Sequence, residues 1–248
     1  MLTLLILLFL LEIPLRNMFV LPTLNLGTVG TTFGVVNPYE TNSYSALFDS
    51  TSDSISVGTV STLASASTFS MSIWFRLGGT ATRLLWSSGS ASSQNFDILF
   101  LSGKVRVRHN GTSGSTRLLD TTGITFSTDT WYHLVFTKNG ATGKIYIDGS
   151  LNNTNTGMLT ALHANAGNNA LIGNLTWTSS VYGFDGYLDE VALFDYELSS
   201  TQVSSIYNDK EYDTITSFWR LENDVTDEFG NNDGTNNGVT FSSSVKPY

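Results

Sequence analysis

Residues 130–149 read TWYHLVFTKNGATGKIYIDG, and they decide the fold. Trp131 to Lys138 is apolar on both faces, as a strand in the middle of a two-sheet sandwich has to be. The run Lys144 to Asp148 alternates instead, with Ile145 and Ile147 set against Lys144, Tyr146 and Asp148, the period of two of a β-strand. Its Asp148-Gly149 end is a hairpin signal, because glycine accepts the positive φ that tight turns need.

The same alternation extends outward along the chain. Ser45 to Val57, Thr68 to Leu77, Arg83 to Ser87 and Phe96 to Leu101 read as strands on one side, and Leu171 to Gly173 and Gly186 to Phe194 on the other. Ser102-Gly103 is a second tight turn, joining Phe96–Leu101 to Lys104–His109, where Val105 and Val107 share a buried face and Lys104, Arg106 and Arg108 a wet one. One segment reads as helix: Ser199 caps, Gln202 reaches back, and Val203, Ile206 and Tyr207 follow at helical spacing. Many strands and one short helix near the C-terminus predict an all-β, two-sheet antiparallel jelly-roll sandwich.

Composition narrows the function. Twelve Lys and Arg against 21 Asp and Glu give a formal charge of −9, which excludes a polyanion-binding protein and nucleic acid as a partner. From Asp185 onward there are 13 acidic and 3 basic residues, so the acidity belongs to the last quarter. No cysteine is present, which removes disulfide frameworks, thiolate metal sites and thiol enzymes. Residues 1–21 form an apolar segment, uninterrupted only from Met1 to Leu11 and too short to span a bilayer. It reads as signal-like, or as a mis-called start ahead of a true translation start at Met18. Residues 22–43 read as a linker or edge segment, and 44–248 as the sandwich, with 214–248 closing it from the far end of the chain.

Three blocks, Thr68–Arg76 (TFSMSIWFR), Thr130–Gly149 and Phe184–Asn208 (FDGYLDEVALFDYELSSTQVSSIYN), resemble the signatures of the laminin G-like, concanavalin A-like lectin/glucanase jelly roll, over residues 44–208. A further block, usually Phe-Asp-Gly-x-Asp-Asp-Tyr, survives in part as Phe48-Asp49-Ser50-Thr51-Ser52-Asp53-Ser54. The resemblance implies a scaffold that carries lectins, adhesive modules and some glycosidases. It also implies a rim Ca²⁺, for which the candidate ligands are Asp49 and Asp53 with Asp189 or Glu190, because hard cations take several loop oxygens.

Catalysis has little support in the residues. Retaining glycosidases of this architecture place Glu-x-Asp-x-(x)-Glu on one strand, with the catalytic carboxyl groups roughly 5–5.5 Å apart. The nearest run here, Glu222-Asn-Asp224-Val-Thr-Asp227-Glu228, has the wrong spacing and enters a Gly/Asn turn. Asp189 and Glu190 are strand neighbours and point to opposite faces. His133 reads as a hydrogen-bonded core residue, and Trp74 and Trp131 as buried.

Trp86, Trp177 and Tyr182 lie in or beside Gly/Ser/Asn-rich loops, where an aromatic face can stack on a sugar ring. Arg106, Arg108 and His109 lie on or end the basic strand; they either grip an anionic glycan or pair within the protein. Asn110, Asn152 and Asn174 open N-glycosylation sequons. These features predict a non-enzymatic, lectin-like module that binds carbohydrate or a glycosylated surface, is extracellular, secreted or on a virion surface, and has no membrane span. The alternative is a virion-surface or extracellular decoration or fibre protein that forms a homo-oligomer or larger assembly, and a glycoside hydrolase comes third.

Overall fold

The computed structural model describes residues 41–49, 51–89, 95–111, 115–175 and 182–248. The apolar segment 1–21, almost all of 22–43, and Trp177 lie outside the described residues. Fifteen strands are found there: β1 (Ser45–Phe48), β2 (Ser54–Gly58), β3 (Thr68–Leu77), β4 (Arg83–Ser88), β5 (Phe96–Leu101), β6 (Lys104–Asn110), β7 (Thr116–Asp120) and β8 (Trp131–Asn139). The rest are β9 (Thr142–Ile147), β10 (Ser150–Asn155), β11 (Ala170–Ile172), β12 (Gly186–Phe194), β13 (Ser217–Trp219), β14 (Thr235–Asn237) and β15 (Thr240–Ser242), with helix α1 (Ser200–Asp209) between β12 and β13.

Two antiparallel sheets stack as the predicted sandwich. Sheet A runs β10-β9-β8-β3-β12-β1-β15, with β13 also paired to β12, and sheet B runs β14-β2-β11-β4-β5-β6-β7. The alternating residues meet between them: Ile73 and Phe75 of β3, Leu134 and Phe136 of β8 and Leu188 of β12 pack with Ile98 and Phe100 of β5 and Val105 and Val107 of β6 in one apolar cluster. The two predicted hairpins form as read, with Ser102 and Gly103 at φ 52° and 77° and Asp148 and Gly149 at 48° and 76°, the doubly left-handed turn that matches strand twist. Gly186 is required at its place, since at φ 135° a Cβ there would lie 2.1 Å from the Arg76 carbonyl oxygen.

Each open side of the sandwich is closed differently. On one, the chain passes from β14 in sheet B to β15 in sheet A, pairing with β2 and β1 respectively. On the other, three β10 asparagines reach the β7 side: Asn153 Nδ2 donates to Asp120 O, Asn155 Nδ2 to Leu118 O and Asn152 Nδ2 to Thr122 O. Side-chain amides there satisfy backbone groups that an edge strand would leave open.

The helix adds a third layer. Ser199 Oγ accepts from Gln202 N–H while the Gln202 side chain accepts from Ser199 N–H, the reciprocal cap read from the sequence. Val203 and Ile206 then pack on the outward residues Val135, Tyr146, Ala192 and Phe194 of sheet A, together with Leu198, Tyr212 and Phe218. Trp74 is accordingly buried, although outside the main core, whereas Trp131, also expected to be buried, is only partly buried and leans toward Tyr187 at 6.3 Å between ring centroids. Its position at the start of β8 leaves it at the end of the covered surface. Lys138 is fully buried, and its ammonium donates to the carbonyl oxygens of Gly140, Leu159 and Thr160, which ties the β10–β11 connection to β8.

Candidate functional site

The outer face of sheet B is built from residues that alternate with the core. Partners directly across a ladder share a face, and the register carries one continuous row over all seven strands: Thr235, Ser56, Leu171, Ser87, Asp97, Arg108 and Leu118. A second row comprises Leu84, Leu99, Arg106 and Asp120, and Leu84 N–H donates to Tyr182 O at 3.0 Å, which brings Tyr182 beside it. Leu175 packs on Leu84 and Leu99 and covers the middle of the face. To one side lies a depression of about 270 Å³ lined by Ser56, Gly58, Asn169 and Leu171. To the other lies a strip of arginine–aspartate pairs.

Both guanidinium groups in that strip are held by carboxylates. Arg106 Nε and Nη2 each lie 2.7 Å from an oxygen of Asp120, a bidentate pair. The hydrogen bond from Arg106 holds the Asp120 carboxyl below its ordinary range, and the same bond raises the Arg106 guanidinium. Arg108 Nε and Nη2 approach Asp97 Oδ2 at 2.7 and 2.6 Å. Asp97 is fully buried and also accepts from Ser87 Oγ and Asn95 Nδ2; burial raises its pKa, against the pull of Arg108. Tyr182 is exposed at 38%, the one predicted aromatic among the described residues that presents a large surface here.

The other predicted residues sit elsewhere. Trp86 was expected beside a loop, yet it lies on β4 with its ring in the core, 5.8 Å from that of Trp219, and cannot stack on a sugar. A bulge between Leu84 and Trp86 breaks the alternation, so Leu85 and Trp86 both enter the core. His109, considered as a ligand contact, is 1% exposed, and burial lowers its pKa to about 4. His133 is a hydrogen-bonded interior residue: its Nε2 lies 2.7 Å from Ser72 Oγ, its ring 4.8 Å from that of Trp74, and burial lowers its pKa to about 3.

The four expected calcium ligands do not assemble. Asp49 is exposed and its N–H donates to Asp53 Oδ2, while Asp53 is buried in that turn. Asp189 and Glu190 lie inside sheet A, where β12 pairs with β1 through residues 186–188 and with β13 through 191–193, leaving the two acids at the seam. The ladder is irregular there and Glu190 has φ 47°. Asn42 Nδ2 donates to both Asp189 Oδ2 at 2.8 Å and Glu190 Oε1 at 3.3 Å, so the left-handed turn at Glu190 brings the two carboxyl groups to one side rather than to the opposite faces that strand alternation predicts, and Arg220 Nε lies 3.4 Å from Glu190 Oε1. Burial pushes Glu190 up to about 7, with Arg220 pulling the other way, and raises Asp189 as well. Among the described residues no group of three or more His, Asp or Glu side chains is placed to hold a metal ion.

The acidic run near the C-terminus does not form a catalytic row either. Glu222 accepts from Ser43 N–H at 2.9 and 3.0 Å, Asp224 accepts from Thr226 N–H, and Asp227 is buried. Its carboxylate gathers the N–H groups of Phe218, Phe229, Gly230 and Asn232 and so organises a turn. The three sequon asparagines also have structural partners: Asn110 Nδ2 donates to Asn95 Oδ1, Asn152 to Thr122 O, and Asn174 to Thr51 O and Asp53 O.

The two-sheet sandwich has counterparts among known proteins. The family model described as the concanavalin A-like lectin/glucanases superfamily matches residues 49–204. The chain belongs to that superfamily. This member superposes with a TM-score of 0.65 and 15% identity on a Bacteroides ovatus protein whose carbohydrate-binding role is itself an inference, over 81% of this chain and 60% of that one. The chain thus spans less than two thirds of that relative. A heptameric SAP-like pentraxin from Limulus polyphemus aligns with a TM-score of 0.58 and 15% identity, over 81% and 94% of the two chains. The CBM40 of the Ruminococcus gnavus IT-sialidase, solved with α2,3-sialyllactose, gives 0.54 and 16% over 65% and 97%. At these identities the likeness is one of fold. No curated protein matches the lectin/glucanase-like chain in sequence, and no helix among its described residues is long and apolar enough to cross a membrane.

Proposed function

We propose that the protein is a non-catalytic carbohydrate-recognition module, and that it binds through the outer face of sheet B. The observation that carries the reading is the contrast between faces: α1 seals sheet A with a second apolar layer, while sheet B exposes Tyr182, the Arg106–Asp120 pair and the depression at Ser56 and Leu171. Sugar sites combine an aromatic or aliphatic surface for ring C–H groups with planar polar side chains for hydroxyls, and these residues supply both. The carbohydrate-related descriptions of the B. ovatus protein and the R. gnavus CBM40 support the same reading. Such a module works outside the cell or on a particle surface, where polysaccharides are met.

A glycan array combined with insoluble-polysaccharide pull-down tests the proposal, and absence of binding to every glycan, with and without calcium, would end it. Comparing binding in EDTA and in millimolar calcium tests whether recognition depends on the ion. An assembly role is the second reading. It is favoured by Leu118 and Leu151, exposed at 40% and 56% on neighbouring edge strands; multi-angle light scattering showing a stable oligomer without glycan binding would select it.

A further inference from the structure

We infer that the ligand of the sheet B face is a neutral, hydroxyl-rich glycan rather than an acidic one, because each arginine in the strip is already matched to an aspartate. The inference rests on the carbohydrate reading above and specifies its substrate class. In sequence the wet face of β6, with Lys104, Arg106 and Arg108, looks like a row of cations suited to carboxylate or sulfate groups. The structure supplies partners for the two arginines: Asp97 on β5 lies across from Arg108, and Asp120 on β7 lies across from Arg106, while Lys104 stays exposed at the start of β6.

Both pairs are short, and in both the two partners share the ladder register, so neither depends on a chance surface conformer. Arg108 is locked most firmly, since Asp97 is fully buried and itself fixed by Ser87 and Asn95. An acidic sugar would have to displace Asp120 from a bidentate contact or sit beside two carboxylates. Like-charge approach of that kind is a device for rejecting wrong partners.

A hydroxyl group meets no such obstacle. The bidentate pair uses two of the five N–H donors of Arg106, and a carboxylate oxygen has lone pairs beyond those facing the guanidinium. The edge of the strip therefore offers donor and acceptor side by side, the combination that vicinal hydroxyls complement. Leu118, directly across from Arg108, and Tyr182, at the far end of the second row, add apolar surface for ring C–H groups.

Affinity electrophoresis of the full chain in gels containing dextran, xylan or mixed-linkage β-glucan, against gels containing polygalacturonate or heparin, tests this at low and high ionic strength. The expected result is retardation by at least one neutral polymer, unchanged by salt, and none by the acidic two. Asp120→Asn releases Arg106 without touching the core; it is expected to weaken the neutral interaction about tenfold, the worth of one charge-assisted hydrogen bond, and to introduce a salt-sensitive retardation by polygalacturonate. Its circular dichroism and melting curve report that the fold is kept. Retardation of the wild type by the acidic polymers alone, abolished by salt, would overturn the inference while sparing the carbohydrate reading. Retardation by no polymer of either class would overturn both.

Discussion

The two outer faces of the sandwich are made by the same alternation and reach opposite ends. On sheet A the outward residues are Trp74, Val135, Tyr146, Ala192 and Phe194, large or apolar, and α1 with residues 212–218 buries them. On sheet B they are leucines (Leu84, Leu99, Leu118, Leu171) interleaved with Ser56, Ser87, Asp97, Arg106, Arg108 and Asp120, each arginine paired with an aspartate, and among the described residues Leu175 packs on Leu84 and Leu99. A strand's outward side chains thus report what covers them: burial by a helix converts a surface into a second core, and the face without one holds its charges in cross-strand pairs. The difference predicts where stability resides and where recognition does.

The largest effect is expected on the covered face. Phe218 is fully buried, with its ring 4.7 Å from that of Tyr212, and Phe218→Ala is expected to cost about 3–5 kcal/mol in urea denaturation; a loss below about 1 kcal/mol would mean that the third layer is not part of the cooperative unit.

Acid comes next. The folded state keeps His133 neutral down to about pH 3, whereas an unfolded histidine protonates near 6.5, so its contribution is complete above about 6.5 and is lost as pH falls below it, by up to about 1.4 kcal/mol per unit. Glu190 acts in the opposite sense: with its pKa raised to about 7 it stabilises fully below the ordinary carboxylate range, and that contribution is lost as pH rises through 7. His133→Gln is expected to flatten the acid side of the stability curve between about pH 6.5 and 5 while leaving the Glu190 limb near neutrality; an unchanged acid slope in pH-dependent denaturation would refute the assignment.

Smaller again is the cap of the covering helix: Ser199→Ala removes the Gln202 N–H acceptor and is expected to cost about 1 kcal/mol, read as a lowered melting temperature. Least of all is the uncovered face, where Asp120→Asn breaks a pair whose side chains are 28% and 22% exposed and is expected to change stability by less than about 1 kcal/mol. If that variant proved as damaging as Phe218→Ala, the contrast between the faces would collapse.

Much of the fold was legible in the chain because it depends on local rules. The both-face apolar run at 131–138, the alternation at 144–148, the two left-handed turns and the Ser199–Gln202 cap are each set by neighbours in sequence, and each forms in place. The site was harder to read because it depends on partners far along the chain. Arg106 and Arg108 look like free cations until β5 and β7 bring Asp97 and Asp120 across from them. Trp86 was misplaced because one bulged residue on β4 inverts which side faces inward, and a bulge has no period of its own. The role of Asp227 in gathering four N–H groups was also invisible, although an acid followed three residues later by Gly230 is the local hint of such a turn.

The crossing from β14 to β15 has a consequence for how the protein comes to be made. β1 finds its outer neighbour about two hundred residues later, Ser45 lying across from Ser242, and β2 receives its own from β14, the strand just before that crossing. A nascent chain therefore holds β1 and β2 without these partners until residues 235–242 have been made. Folding should be slow, of high contact order and dependent on residues 235–242 being available.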